Sequence, residues 1–190
     1  MHMQSIDNSI IEKAAGGDIS AFEEIYKTFS SMVYTLAYGV TQNRMDAEEA
    51  TQDVFVRIYR SLKDFRFGSS FSTWIYRIAM NTAINVYHKN TKRRNSSIPY
   101  DEAGDLIPAV PHASKDEIEK QEATAQVDTL LKALSPEHRT CIVLREIEGL
   151  EYSQMAEVLA IPINTVRSRL KRAREALVAY CRKEGIHHGL

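Results

Sequence analysis

Apolar residues recur every three or four positions along most of the chain, which is the spacing of one face of an α-helix. The first long stripe of this kind runs through Ile25, Phe29, Val33 and Leu36, with Asp18 placed as its amino-terminal cap. No run of Val, Ile and Thr alternates with polar residues between turn signals, as a strand would. The pattern therefore predicts an all-α protein in which this stripe is core.

Two further helices are predicted before residue 95. Asp46, with Glu49 three residues later, has the form of a capping box and predicts a helix start that leads to about Asp64. A loop at residues 66–70 then separates this helix from the next one. That next helix is opened by a serine and is predicted from about residue 73 to 88.

The helical pattern stops after residue 95, where three prolines and a glycine fall within residues 95–111. Between Asp101 and Glu122, seven acidic residues stand against two basic ones. Such composition is typical of a mobile, solvated segment. We therefore predict a flexible acidic linker at residues 96–121, between domains at residues 1–95 and 122–190.

The last third of the chain returns to helical spacing. Ser135 and Pro136 have the order of a cap followed by proline at the first helical position. A short helix is predicted from about Ser153 to Leu159, and a turn at residues 160–162 leads into a final helix. A short helix, a tight turn and a longer helix form a helix-turn-helix, whose second helix enters the major groove of DNA.

The final helix has one apolar face and a basic remainder. Val166, Leu170, Ala173 and Leu177 lie on one face, which we expect to pack on the preceding helices. Five Arg or Lys and no acidic residue fall within residues 167–174. Arginine grips guanine edges with two hydrogen bonds, and Lys, Ser and Thr bond bases or phosphates. A solvated basic surface is the alternative, but the one-sided pattern favours DNA binding.

A second stripe lies on the helix after residue 70. Trp74, Arg77, Asn81, Asn85 and His88 fall along one narrow line of that helix. An aromatic ring stacks on an unpaired base, asparagine reads a base edge and arginine holds phosphates, so the stripe suits single-stranded DNA. A core tryptophan with asparagines bonded to nearby backbone is the alternative. The residues by themselves leave both interpretations open.

Charge, cysteines and apolar runs narrow the class of protein. The formal net charge is −1, so DNA binding cannot rest on an overall basic field. Cys141 and Cys181 lack a Cys-x-x-Cys spacing, and the amino terminus lacks a leader pattern, which favours a reducing cytoplasm. The apolar runs are shorter than the roughly 20 residues of a membrane span. We expect a soluble, cytoplasmic protein.

Signatures of catalysis and metal binding are missing from the sequence. It has neither a phosphate-binding glycine loop nor a recognisable metal-ligand spacing, and we expect no cofactor. Cys181 with His187 and His188 is more typical of a disordered tail than of a zinc site. The residues therefore predict a protein that is not an enzyme.

With these residues assembled, the chain resembles the extracytoplasmic-function group of the sigma-70 family over nearly its full length. Asp46–Phe55 is similar to the group's core-polymerase-binding helix, and Phe71–Asn81 to its promoter-melting helix. Both belong to the amino-terminal domain of the group, called sigma two. Ile161–Leu170 with Arg172–Arg174 is similar to the recognition helix of its carboxy-terminal domain, sigma four.

The resemblance implies a transcription initiation factor that directs core RNA polymerase to promoters and helps open them, in a stress response. The implied partners are the β′ clamp helices and β flap of polymerase, promoter DNA and an anti-sigma factor. The implied polymerase contacts are Glu49, Gln52, Asp53 and Phe55. The implied minus-10 contacts are Arg66, Phe67, Trp74, Arg77 and Asn81, to which the stripe on the same helix adds Asn85 and His88. The implied minus-35 contacts are Thr165, Arg167, Ser168, Lys171 and Arg172, to which the basic pattern of the same helix adds Arg169 and Arg174.

The sequence departs from the family pattern in two places, and one other class of DNA-binding protein is an alternative to the sigma-70 family. Ala160 and Asn164 stand where many relatives carry glycine, and Lys171 stands at a variable position. The rival is an ordinary helix-turn-helix regulator whose amino-terminal half senses a ligand or dimerises. That class explains the basic helix equally well, and it predicts tight duplex binding without polymerase. It does not explain the stripe that begins at Trp74 or the match at Asp46–Phe55.

Overall fold

Four helices form the amino-terminal half of the chain in the computed structural model, which describes residues 5–96 and 115–186. They span Asn8–Ala15 (α1), Ile19–Thr41 (α2), Arg44–Ser61 (α3) and Phe71–Ser96 (α4), and a 3₁₀ turn at Leu62–Asp64 follows α3. Every regular element within the described ranges is helical, which confirms the predicted all-α class.

Helix α2 runs through the middle of this bundle, in contact with α1, α3 and α4. The predicted stripe of Ile25, Phe29, Val33 and Leu36 is completely buried. Burial of side chains of this size stabilises a fold by about 1.5 to 3 kcal/mol each. Asp18 caps the helix as predicted, since its Oδ1 accepts a hydrogen bond from the amide of Ala21 at 3.1 Å.

The capping box predicted at Asp46 and Glu49 is wrong. Helix α3 begins before Asp46, and its cap is Asn43, whose Oδ1 accepts from the amide of Asp46 at 3.0 Å. Asp46 is 4% exposed, and its carboxylate accepts from Asn90 Nδ2 at 2.8 Å and Arg94 Nη2 at 2.9 Å. A buried carboxylate requires such donors. Asp46 therefore fastens the end of α4 to the start of α3.

Helix α4 begins where expected and extends further than expected. Ser70 Oγ accepts from the amide of Thr73 at 3.1 Å, so a serine opens the helix as predicted. The helix was predicted to end at about His88 but continues to Ser96. The additional turns carry the residues that bond Asp46, and this distant pairing stabilises them as helix.

The carboxy-terminal half consists of helices and one π-helical turn. They span Lys115–Lys132 (α5), Pro136–Ile142 (α6), the π turn Val143–Ile147, Tyr152–Leu159 (α7) and Ile163–Lys183 (α8). Ser135 caps α6 and Pro136 occupies its first turn, as predicted. Helix α7 was predicted from about Ser153 to Leu159, and it begins one residue earlier than that. The final helix was predicted to follow the turn at residues 160–162, and α8 begins there.

Helix α5 begins inside the segment predicted to be a flexible linker. Its first turns are rich in Lys, Glu, Gln and Ala, which favour helix. The described part of that segment is therefore helical from Lys115 onward. The remainder, residues 97–114, lies outside the described residues.

The two halves of the chain pack against each other. Helix α6 and the π turn lie on the carboxyl end of α2, and α7 lies on α4. Arg139 of α6 is 4% exposed, and its Nε and Nη2 donate to the carbonyl oxygens of Leu131 and Leu134 at 2.8 and 3.0 Å. Its Nη1 donates to the carbonyl oxygen of Val40 in α2 at 2.6 Å. One buried side chain thus joins both halves.

Candidate nucleic-acid interface

Helices α7 and α8 and the turn between them have the helix-turn-helix arrangement. Ala160 ends α7 in the left-handed conformation, with a φ of 52°. Val166, Leu170 and Ala173 are at most 1% exposed and hold α8 against α6 and α7. Leu177 packs against the edge of the same core. The predicted apolar face of the last helix is therefore confirmed.

The remaining faces of α8 carry the predicted minus-35 residues. Arg167, Ser168, Lys171, Arg172 and Arg174 are exposed, whereas Thr165 and Arg169 are half-buried. The exposed members are available to a ligand as large as a DNA duplex. The described structure thus brings a continuous basic surface to the outside of α8.

Arg169 differs from the rest of this set because it faces α6. A hydrogen bond from its own backbone amide is the main cause that lowers the pKa of Glu137. The charge of Arg169 lowers this pKa further, by a smaller amount. Burial raises the pKa of the Cys141 thiol to about 11, and Arg169 opposes that rise. Arg169 is therefore less accessible to a duplex than its neighbours, and Cys141 stays an unreactive thiol at neutral pH.

The exposed basic residues make weak contacts within the protein. Arg174 Nη2 lies 2.7 Å from Glu146 Oε1, and Arg167 Nη1 donates to Asn164 Oδ1 at 3.0 Å. Hydrogen bonds to Glu146 and Tyr152 raise the pKa of Arg174, with the Glu146 bond contributing most. Exposed ion pairs contribute at most about 1 kcal/mol. Phosphate contacts can therefore replace them at little cost.

The aromatic end of the stripe on α4 packs as a cluster. The ring centroid of Trp74 lies 5.1 Å from that of Phe65 and 5.5 Å from that of Phe71. Phe67, at 4.8 Å from Phe65, is 48% exposed with a φ of 54°. Trp74 is half-buried, so it packs on the core and also presents part of its ring at the surface. Arg66, beside this cluster, is exposed.

The polar members of the stripe are divided by the packing of the two halves. Asn81, Asn85 and His88 are exposed. Arg77 instead donates from Nη2 to the carbonyl oxygen of Glu157 in α7 at 3.0 Å. Its Nε is buried without a hydrogen-bond partner among the described residues. Arg77 is therefore bonded to α7, whereas the two asparagines on the same helix face are exposed to solvent.

A groove between α3 and α4 contains residues that sequence reasoning missed. It has a volume of about 380 Å³. Its lining consists of Arg57, Arg60 and Ser61 from α3 and Ile78, Asn81 and Thr82 from α4. Thr82 is 1% exposed, and its Oγ1 has no hydrogen-bond partner within the described part of the chain. The only sequence signal for this groove is a pair of arginines three residues apart.

The exposed face of α3 carries part of the predicted polymerase contact. Gln52 and Asp53 are exposed. Glu49 is half-buried, and its carboxylate accepts from Lys89 Nζ at 2.8 Å and from Asn90 Nδ2 at 3.0 Å. These hydrogen bonds, that from Lys89 first, lower the pKa of Glu49. Glu49 is thus already paired with α4.

The structure corrects the prediction for Phe55. This side chain is 6% exposed, and its ring centroid lies 4.6 Å from that of Tyr26. Phe55 belongs to the core because α3 turns this position toward α2. The exposed apolar groups nearby are Tyr26 at 47%, Val56 at 46% and Tyr59 at 50%.

Comparison with known proteins decides the family. The sigma-70 region 2 family matches residues 25–94, and the sigma-70 region 4 family matches residues 124–177. The RNA polymerase sigma-H factor of Pseudomonas aeruginosa is 35% identical, covering 93% of this chain and 94% of its own. The ECF RNA polymerase sigma-E factor of Escherichia coli is 33% identical, covering 93% and 95%. The chain belongs to the extracytoplasmic-function sigma factors of the sigma-70 family.

Solved structures agree with the fold of this sigma factor. The structure of CnrH in complex with the cytosolic domain of CnrY matches with a TM-score of 0.68 and 23% identity, covering 93% of this chain and 97% of that one. The sigma factor RpoE of Bartonella quintana, in complex with the anti-sigma factor NepR, matches with a TM-score of 0.65 and 20% identity, covering 90% and 100%. Sigma factors are transcription initiation factors that direct RNA polymerase to promoters.

Two sequence expectations about this sigma factor concern membranes and metals. Among the described helices, none combines the length and the apolar content that crossing a bilayer requires. Within residues 5–96 and 123–186, the side chains form no cluster of three or more metal-ligating groups. His187 and His188, which were considered together with Cys181, lie outside the described residues.

The turn of the sigma factor's helix-turn-helix yields a stability prediction. Ala160 holds a left-handed conformation that costs an L-residue about 1 to 2 kcal/mol, whereas glycine adopts it freely. Glycine also gains entropy in the unfolded chain, up to about 1 kcal/mol. Ala160→Gly should therefore raise the free energy of unfolding by about 0.5 to 1 kcal/mol, measured by urea titration.

Ala156→Gly serves as the matched control, because Ala156 lies within α7 with helical geometry. It should lower the free energy of unfolding by about 1 kcal/mol. Equal losses from both substitutions would show that the strain at Ala160 is absent.

Proposed function

We propose that this sigma factor reads the duplex minus-35 element with α8, holds the melted minus-10 strand with α4 and the loop before it, and binds core polymerase through α3. The observation that carries the proposal is α8, whose basic side is exposed and whose apolar side is buried. A helix of this kind at the end of a helix-turn-helix fits the major groove.

The minus-35 contacts are assigned by exposure. Arg167, Ser168, Lys171 and Arg172 reach base edges, because they are exposed on the amino-terminal and middle turns of α8. Thr165 and Arg174 flank this surface and hydrogen-bond phosphates, and the half-buried Arg169 contributes its charge from the side facing α6. The charges of Arg169 and Arg174 supply affinity that falls as salt concentration rises.

The minus-10 contacts combine the predicted stripe with the groove between α3 and α4. Phe67 and the exposed part of Trp74 stack on unpaired bases, as aromatic groups do in single-strand sites. Arg57 and Arg60 attract the phosphates of the strand beside Asn81. The unpartnered hydroxyl of Thr82 supports a polar ligand group in this groove.

The polymerase contact is assigned to the exposed face of α3. Gln52, Asp53, Val56 and Tyr59 supply adjacent polar and apolar groups, and Tyr26 of α2 extends the apolar part. Such a mixed surface suits the β′ clamp helices of polymerase. The β flap is the expected partner of the carboxy-terminal domain.

An anti-sigma partner and the domain limits complete the proposal. Two structural neighbours were solved in complex with CnrY and with the anti-sigma factor NepR, respectively. We infer that this sigma factor is also controlled by an anti-sigma protein.

We assign domains to residues 1–95 and 122–190, and α5 then crosses the limit of the second domain.

A gel shift with and without core polymerase separates this proposal from an ordinary regulator. The probe is a duplex promoter selected with the holoenzyme from the host genome. It should shift with core polymerase and the sigma factor together, and not with the sigma factor alone at the same concentration. A shift of equal strength by the sigma factor alone would favour the ordinary helix-turn-helix regulator.

Arg172→Ala tests the assignment of the α8 surface in the same assay. Loss of one base-contacting arginine should weaken holoenzyme binding by about tenfold or more. Arg182→Ala is the control, because Arg182 is exposed on the last turn of α8, away from the proposed surface. Equal effects of the two substitutions would contradict base reading by Arg172.

A further inference from the structure

The groove between α3 and α4 has two unpaired positive charges on one wall. Arg57 and Arg60 lie three residues apart on the same side of α3, and both are exposed. Within the described part of the chain, neither guanidinium is bonded to a carboxylate. Arg94, Arg145 and Arg174, by contrast, each pair with an acidic side chain. The described residues that line the groove include no acid, so both charges are available to an anionic ligand.

The opposite wall contains a buried hydroxyl that lacks a hydrogen bond. Thr82 is 1% exposed, and its Oγ1 has no partner among the described residues. A helical threonine can donate to the carbonyl oxygen four residues earlier, and Thr35 and Thr51 do so at 2.9 and 2.7 Å. Thr82 does not, although it lines the groove. A buried hydroxyl without a partner indicates a polar group that binds there.

The volume and the other walls indicate a ligand larger than a phosphate ion. About 380 Å³ falls within the size range of small-molecule sites. Ile78 supplies an apolar surface for the face of a base. The exposed amide of Asn81 has the donor and acceptor that bond a base edge. Basic, apolar and amide groups in one groove fit a nucleoside that carries a phosphate.

The number of charges favours a phosphate monoester over a diester. A monoester carries about two negative charges near neutral pH, whereas each phosphate of a DNA strand carries one. Arg57 and Arg60 together match the larger charge, and each guanidinium can bond two phosphate oxygens. A free nucleoside monophosphate has such a monoester at its end, and an internal nucleotide of a strand does not.

We propose that the groove between α3 and α4 binds a free nucleoside monophosphate. Its phosphate lies on Arg57 and Arg60, its base lies beside Ile78 and Asn81, and the Thr82 hydroxyl bonds one of its polar groups. Since the melted promoter strand is assigned to the same groove, the bound nucleotide competes with that strand. The competition rests on the proposed function of α4, whereas the binding of the nucleotide does not.

Titration of the full-length, isotope-labelled protein with each of the four ribonucleoside monophosphates, followed by NMR, tests the binding. At constant ionic strength, at least one of the four should bind with a dissociation constant of about 1 mM or lower. The corresponding nucleoside and inorganic phosphate should each bind at least about tenfold more weakly. Absence of binding by all four nucleotides would overturn the proposal, and so would equal affinity for inorganic phosphate.

Three variants with a matched control test the location of the site. Arg57→Gln and Arg60→Gln keep a good helix former and remove one charge, so each should weaken nucleotide binding by about tenfold. Arg182→Gln, at an exposed position on the last turn of α8, is the control and should bind as the unchanged protein does. Equal affinities of all three arginine variants would overturn the assignment to this groove.

Thr82→Val preserves the shape of the side chain and removes only its hydroxyl. It should weaken nucleotide binding by about fivefold, because a ligand group loses its partner. The urea concentration at the midpoint of unfolding should stay the same or rise, since the hydroxyl has no partner in the free protein. A lower midpoint with unchanged nucleotide binding would show a hydroxyl that serves only the fold, and would contradict the proposal.

Competition with single-stranded DNA separates this inference from the proposed function. The probe is a fluorescent pool of 12-nucleotide DNAs of random sequence, whose binding is followed by anisotropy. The best-binding nucleotide, at ten times its dissociation constant, should weaken DNA binding by about tenfold. DNA binding without any nucleotide binding would overturn this inference alone. Nucleotide binding without DNA binding, or without competition, would overturn the strand path along the groove and leave the nucleotide site in place.

Discussion

Trp74→Ala should slow open-complex formation on a duplex promoter by about 10- to 100-fold, because base stacking on an aromatic ring contributes about 1 to 3 kcal/mol. The rings of Trp74 and Phe67 both pack against Phe65, at the start of the proposed strand path. On a pre-melted template the bases are already unpaired, and saturating polymerase compensates for the lost stacking. Run-off transcription on both templates should therefore show a much larger defect on the duplex.

Phe71→Leu is the matched control for Trp74. Phe71 is 8% exposed and belongs to the same aromatic cluster, with its ring centroid 5.8 Å from that of Phe29. Its loss should reduce stability and affect the two templates to the same extent. If Trp74→Ala also reduced transcription from both templates equally, Trp74 would be a core residue without a role in strand capture.

Arg139→Ala should lower the free energy of unfolding by about 3 kcal/mol or more. The carbonyl oxygens of Val40 and Leu134 would lose the donor that Arg139 supplies, and that of Leu131 would keep only the amide of Leu134, at 3.2 Å. Each unsatisfied buried carbonyl costs about 1 to 3 kcal/mol. Burial lowers the pKa of Arg139, yet an arginine stays charged at any physiological pH, so the loss should be nearly independent of pH.

Urea unfolding followed by circular dichroism measures the effect of Arg139→Ala. Arg139→Lys should recover only part of the loss, because an ammonium group lacks the planar fork that reaches three carbonyls. Arg182→Ala, at an exposed position on α8, should change the free energy of unfolding by less than about 0.5 kcal/mol. A loss below about 1 kcal/mol for Arg139→Ala would contradict its role as the link between the halves.

Local spacing predicted the elements of this sigma factor well. The stripe from Ile25 to Leu36 and the face from Val166 to Ala173 are buried as expected, because a helix period depends only on neighbouring residues. The cap at Asp18 and the cap at Ser135 follow from equally local rules. The family resemblance then supplied what the periodicity could not, namely a function for these helices.

Predictions that depended on distant packing were the ones that failed. Asp46 has the local form of a cap, but its buried carboxylate instead accepts a hydrogen bond from Arg94, which lies 48 positions later in the chain. Phe55 is part of a family-like motif, yet α2 covers it. A stripe on α4 predicts that Arg77 and Asn81 share a face, and it cannot predict that α7 covers only one of them.

The groove beside Asn81 was missed for the same reason. Arg57 and Arg60 lie on α3, and their position next to α4 depends on how those two helices cross. The pattern of apolar residues within either helix does not show where the two helices cross. The first turns of helix α5 were missed because acidic composition was interpreted as a linker, although Lys, Glu and Gln also favour helix.

The most direct test of this account is run-off transcription with bacterial core RNA polymerase, purified sigma factor free of any inhibitor, and a library of genomic promoter fragments. The sigma factor should co-elute with core polymerase, and discrete transcripts should appear only when both are present. Failure of the purified protein to associate with core polymerase, together with an absence of such transcripts, would contradict it.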